Sequence, residues 1–301
     1  MVIFQFPILA QATASDPGLM HSMSLFQAFV IGVVQGLTEF LPISSTAHVK
    51  MVPVVLGWGD PGVAFTAVIQ LGSIAAILWY FWSDLVGVVK GAVQALLKGD
   101  YGAQDFQLGL GILLGTVPIV LGGLLIKLLI PDFDHSPLRS SSTIAIVSIV
   151  MALLLALAEV ISKHKRPFTD LTLKDGITMG LAQTLALIPG VSRSGSTLTA
   201  GLFMDLERST AARFSFLLGI PAITLAGLVE MKDSLKAGLD TTTGLLPLAV
   251  GLVTALVVSY LAIFWLLRFL KQHSTWVFVW YRLAFGVAIL VAISTGNLQN
   301  L

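Results

Sequence analysis

Gly32-Val-Val-Gln-Gly-Leu-Thr-Glu-Phe-Leu-Pro-Ile-Ser-Ser-Thr-Ala-His48 is matched, 148 positions later, by Gly180-Leu-Ala-Gln-Thr-Leu-Ala-Leu-Ile-Pro-Gly-Val-Ser-Arg-Ser-Gly-Ser196. Gly32, Gln35, Leu37 and Ser44 align without gaps on Gly180, Gln183, Leu185 and Ser192. Each segment starts apolar, breaks at proline (Pro42; Pro189-Gly190) and continues rich in hydroxyls, so neither reads as a straight spanning helix. Irregular backbone at membrane depth is tolerated only inside protein or beside a wet cavity. The two segments are therefore expected to be re-entrant helical hairpins whose tips meet inside a bundle.

The rest of the chain supplies that bundle. Of 301 residues 56% are hydrophobic and 11% charged, with a mean hydropathy of +0.91, against roughly 25% charged in a soluble domain. The runs Val63–Trp82, Leu108–Ile130, Ile144–Ile161, Phe214–Val229, Leu245–Leu267 and Trp276–Ile293 approach or reach the length of a membrane helix. The expected fold is an all-α integral membrane protein, a single membrane domain of about six transmembrane helices plus the two hairpins. Leu85–Leu97 is too short to span and is expected along the interface. The hairpins lie three spans apart, which would turn the second copy upside down. This gives an inverted-topology repeat, about 25–161 and 173–296, with a site where the broken segments meet.

Charge sets the orientation. Lys90, Lys98, Lys163, Lys165, Arg166, Lys174, Arg208, Arg268 and Lys271 fall on one side, Lys50, Arg139, Lys232 and Lys236 on the other, so the first side is expected to be cytoplasmic. The termini and the mouth of the first hairpin would face outward. The first 19 residues contain no Lys or Arg, lack the basic region of a signal peptide, and are expected to lie at the interface. A net charge of +1 argues against nucleic acid as a partner. Without cysteine there is neither disulfide nor thiolate metal site.

Ionisable groups at membrane depth are costly and point to function. Gln35 and Glu39, at i and i+4, share a helical face. Glu39 is the candidate general base or metal ligand. Ser45 is a candidate nucleophile, and His48, three residues on, could share its face and move a proton. In the second hairpin Ser192, Arg193, Ser194 and Thr197 follow the Pro-Gly break and precede an expected helical run, Thr197–Met204. With Ser44 they form a candidate phosphate cradle of hydroxyls, helix N-terminus and guanidinium. Glu159 and Glu230, closing spans, are expected to be structural. Arg282 is a weaker candidate for contact with a lipid phosphate.

These two segments resemble the undecaprenyl-diphosphate phosphatase family, the membrane enzymes associated with bacitracin resistance. The family's Glu/Gln-x-x-x-Glu pattern is met by Gln35–Glu39, and its Pro-Gly-x-Ser-Arg-Ser-x-x-Thr by Pro189–Thr197. Gln35 stands in place of the commoner Glu, which makes it a poor metal ligand, and Ala47 where glycine is frequent. The resemblance implies an active site of Glu39, Ser45, His48, Ser192, Arg193 and Thr197, a divalent cation (Mg2+ or Ca2+), a homodimer, and residence in the bacterial cytoplasmic membrane with the site opening outward. The implied reaction hydrolyses undecaprenyl diphosphate to undecaprenyl phosphate and inorganic phosphate, recycling the carrier of cell-wall synthesis. Either Ser45 attacks phosphorus, assisted by His48 or Glu39, or Glu39 activates water while Ser45 holds an oxygen. The rival expectation is a lipid or anion transporter or flippase, since inverted repeats with broken helices are common there.

Overall fold

The computed structural model describes residues 23–59, 61–130, 136–236 and 244–300; the expectation for the first 19 residues lies outside this range. Regular structure among the described residues is helical, apart from an isolated bridge between Arg166 and Leu206. Five helices are long and apolar enough to cross a membrane: α5 (Gln104–Leu129), α6 (Ser141–Ile161), α9 (Arg208–Lys236), α10 (Leu245–Phe269) and α11 (Trp276–Ser294). The bent pair α3 (Val63–Tyr80) and α4 (Trp82–Lys98) makes a sixth if counted as one broken span. The chain is an integral membrane protein. Leucines such as Leu121, Leu128, Leu153 and Leu157 lie exposed on α5 and α6, as lipid tails require of outward faces.

The stretch expected along the interface, Leu85–Leu97, lies within α4. That helix turns 62° from α3 at Phe81 and packs on α5. Its Asp84 accepts a 2.9 Å hydrogen bond from Arg213 of α9.

The hairpins are α1 (Leu25–Phe40) with α2 (Ser45–Val55), and α7 (Leu173–Gln183) with α8 (Arg193–Phe203), a short 3-10 turn extending α7 to Leu187. At 1.5 Å per residue the 11 residues of α2, like those of α8, reach only about 16 Å, half of a bilayer core. The breaks follow local chemistry. Leu41 and Ile188, each preceding a proline, take extended φ/ψ, because the proline ring clashes with a helical predecessor. The helix after the second break starts at Arg193, four residues earlier than the sequence reading placed it, since Ser192 serves as its N-cap.

The two hairpins are built alike. Ser24 and Thr172 both close capping boxes; Ser44 and Ser192 both take positive φ, 78° and 72°; so do Gly57 and Asp205 after the second arms. The members of each pair stand 148 positions apart. Packing follows the same exchange. α1 packs on α10 as α7 packs on α5; α3 packs on α10 as α9 packs on α5; α3 meets α9 and α6 meets α11. Close approach is bought by glycine. A Cβ on Gly36 would lie 2.8 Å from the Val258 side chain, and one on Gly180 would collide with the backbone of Gly115.

One side chain ties the breaks together. Arg282 of α11, 1% exposed, donates to the carbonyls of Pro42 (3.0 Å), Val191 (3.0 Å), Gly190 (2.7 Å) and Ser148 (3.3 Å). The weak expectation of lipid-phosphate contact for Arg282 is thereby corrected, because its donors are spent on carbonyls. Gly190, at φ 93°, sits so close to α6 that a Cβ would fall 2.8 Å from the Ile144 carbonyl.

Gly180→Ala should cost about 1–3 kcal/mol by forcing α7 off α5, seen as a lower melting temperature in detergent. Arg282→Met, which strands the hairpin carbonyls, should cost at least about 3 kcal/mol by the same measurement; a melting point equal to wild type would mean that the carbonyls find other donors.

Candidate active site

Where the hairpin tips meet, a cavity of about 310 Å³ is walled by Glu39, Ser44, Ser45 and Thr46 from the first and by Ser192 and Arg193 from the second. Gln70, Arg139 and Glu230 add the other polar side chains of a lining otherwise apolar. Ser45 and Arg193 are the first residues of α2 and α8, so both helices begin at the cavity with their free N–H ends, the usual place for an anion. The left-handed serines that aim them cost about 1 kcal/mol each or more, a strain that such breaks commonly carry at functional sites.

Glu39 is the hub. Its Oε2 accepts the Ser45 hydroxyl at 2.8 Å and the Gln35 amide at 3.2 Å, and its Oε1 lies 3.8 Å from Nη2 of Arg193. Gln35 is buried and leans on Ser73, itself bonded by Ser259 of α10. Its amide donates to the carboxylate, which suits a positioning residue better than a metal ligand. The Arg193 and Glu39 side chains are 9% and 12% exposed. Nε and Nη2 of Arg193 are buried without a hydrogen-bond partner, and Nη1 reaches the Ser215 carbonyl only at 3.5 Å. A buried guanidinium with two idle donors is what an incoming phosphate would satisfy. It packs against Gly219, where a Cβ would overlap it.

Of the remaining sequence candidates, all but Ser192 fall behind this wall. Ser192 lines the cavity but uses its hydroxyl to cap α8, accepting from the Gly195 amide at 3.1 Å. Ser194 donates to the Leu41 carbonyl at 3.0 Å, stitching one hairpin to the other. Thr197, fully buried, bonds the Arg193 carbonyl at 2.8 Å and Ser215 Oγ at 2.5 Å; it buttresses Arg193 from behind. His48 points away from Ser45, onto Tyr281 and the Ser44 carbonyl. Its expected contact with Ser45 is absent because both ring nitrogens are bonded elsewhere.

Glu159 is structural, as expected, bound to Arg208, Thr275 and the Thr275 amide. Glu230 is not confined to closing its span, since it lines the cavity. Gln70 and Arg139, also on that wall, are not among the site candidates that the sequence singles out. Gln70 could have been found as a lone polar residue within an apolar run; nothing local marks Arg139 or Glu230.

Residues 28–288 match the family described as bacitracin resistance protein BacA. The chain is 63% identical over 300 residues to an undecaprenyl-diphosphatase of Trichormus variabilis, covering 100% of this chain and 93% of that one. It is 66% identical over 279 residues to one of Synechococcus elongatus (93% and 96% covered) and 66% over 275 residues to one of Synechocystis (91% and 84%). With a match spanning most of its length and relatives this similar end to end, the chain belongs to the bacitracin resistance protein family.

Proposed function

We propose that the protein hydrolyses the diphosphate of a polyprenyl lipid, undecaprenyl diphosphate, to the monophosphate and inorganic phosphate. The observation that carries this reading is the triple of Glu39, Ser45 and Arg193: a serine hydroxyl on a carboxylate at 2.8 Å, beside a buried guanidinium with idle donors. The relatives named above are diphosphatases by name, and transport has no comparable support.

Phosphoryl transfer asks chiefly for charge neutralisation and in-line positioning. Arg193 and the amides at the start of α2 would hold the terminal phosphate. Ser45 Oγ attacks its phosphorus while Glu39 takes the hydroxyl proton; the bond to the bridging oxygen breaks and polyprenyl phosphate leaves. Glu39 passes that proton to the departing polyprenyl phosphate; water then attacks the serine phosphate, Glu39 accepting its proton and returning it to Ser45 Oγ as the phosphorus–serine bond breaks and inorganic phosphate departs.

The family implies a divalent cation. Among the described residues no three His, Asp or Glu side chains gather as a metal cage, but Mg2+ is commonly held by one or two carboxylates together with substrate phosphates. Glu39 fits that mode, with Ser45 beside it, and a cation there would neutralise phosphate charge. The halves would form an inverted-topology repeat, supported by the exchangeable packing of the helices and the asymmetric Lys/Arg count. The cavity would open on the outer face of the cytoplasmic membrane.

Arg193→Ala should lower phosphate release from a polyprenyl diphosphate in detergent by about 10²–10³-fold, with gel filtration unchanged. Glu39→Ala should do the same, and a chelator should reverse on adding Mg2+ or Ca2+. Wild-type protein that binds the lipid yet releases no phosphate would overturn the assignment. Ser45→Ala discriminates the nucleophile: near-complete loss supports attack by Ser45, whereas more than about a tenth of the rate remaining would leave Glu39 activating water directly.

A further inference from the structure

His48, on α2, is 4% exposed and lies off the cavity wall. Its Nδ1 lies 2.7 Å from the Ser44 carbonyl and its Nε2 2.7 Å from the Tyr281 hydroxyl. Its ring stacks on Phe285 with centroids 4.3 Å apart. A carbonyl only accepts, so the proton sits on Nδ1; the neutral ring then offers Nε2 as an acceptor, which the Tyr281 O–H fills. Both nitrogens are spent, and neither reaches Ser45 or Glu39.

Comparison of the hairpins shows what the ring contributes. Ser44 and Ser192 hold the same place and the same left-handed backbone. At Ser192 the turn is secured twice: its carbonyl accepts the Ser196 amide at 2.9 Å, and its hydroxyl accepts the Gly195 amide at 3.1 Å. At Ser44 no side chain caps the helix, and the corresponding backbone bond, from the His48 amide to the Ser44 carbonyl, is stretched to 3.3 Å. The 2.7 Å bond from His48 Nδ1 lands on that same carbonyl. It supplies the hold that α8 takes from its capping serine, and it leaves the Ser44 hydroxyl and the first-turn amides of α2 uncommitted on the cavity side.

We infer that His48 is a positioning residue and not the proton carrier of the reaction: fixed in one tautomer by Tyr281, it locks Ser44 in the left-handed turn that aims Ser45 at Glu39. The inference rests on the hydrolytic reading above and adds Tyr281, which neither motif contains, to the machinery.

Asparagine tests it. His48→Asn keeps an N–H donor where Nδ1 stood but exchanges no proton near neutral pH; His48→Gln moves the donor one carbon outward, and His48→Ala removes it. His48→Asn should stay within about tenfold of wild-type phosphate release, and the Ala and Gln variants should fall by about a hundredfold or more, a loss that proton transfer would impose on all three alike. His48→Asn as inactive as His48→Ala, with both folded by gel filtration, overturns the inference. A second arm is independent of turnover. In wild-type protein with 15N-labelled histidine, the His48 resonances, assigned by their loss in His48→Asn, should report a neutral ring protonated on Nδ1, and Tyr281→Phe should shift it toward the Nε2–H or charged form. A wild-type ring protonated on Nε2 alone would overturn the inference. A wild type that releases no phosphate would sink the hydrolytic reading, while the NMR arm still decides the role of the ring.

Discussion

Within a bilayer every backbone carbonyl and amide needs a partner, and a chain that breaks two helices at mid-depth has created a debt in both hairpins at once. The guanidinium of Arg282 meets it. Carbonyls of Pro42, Gly190 and Val191 turn toward this one group, so the amide ends of α2 and α8 are left facing the other way, into the cavity. A buried cation without a carboxylate would be costly; four carbonyl dipoles offset that cost. Two guanidinium groups thus serve the hairpins differently, Arg193 on the cavity wall and Arg282 behind it.

Much of this was legible in the sequence. The apolar runs, the two broken segments, the spacing of 148 and the choice of Glu39 and Arg193 as the charged groups of the two hairpins all follow from periodicity and from the rarity of charge at membrane depth. What was not legible depends on which way a side chain turns. His48 lies three residues from Ser45, a spacing compatible with a shared face, yet the ring rotates onto Tyr281, 233 positions on. Thr197 and Ser194 belong to the motif, but helix α8 starts at Arg193 and carries both to its buried side. Arg139, Gln70 and Glu230 join the lining from three other parts of the chain, and no local pattern announces such a meeting.

The two hairpins differ at positions that face the cavity. At matching positions Glu39 faces Leu187, Ser45 faces Arg193 and His48 faces Ser196. One hairpin keeps the acid and the hydroxyl, the other the cation. Gln35 and Gln183 show the result in a single pair. The amide of Gln35 serves the carboxylate four residues on, while Gln183, with leucine at that place, is buried with neither amide atom bonded.

The position of Arg282 in the chain has a consequence for biogenesis. Helix α11 leaves the ribosome after both hairpins, and it carries both the arginine that gathers the two breaks and the tyrosine that orients His48. Until it arrives, hairpins made early in synthesis have no donor for their inward carbonyls and must wait beside the insertion machinery or in water-filled surroundings. The two breaks are therefore gathered only when α11 docks. Loss of the C-terminal region would leave a chain with most of its membrane helices and without a formed site.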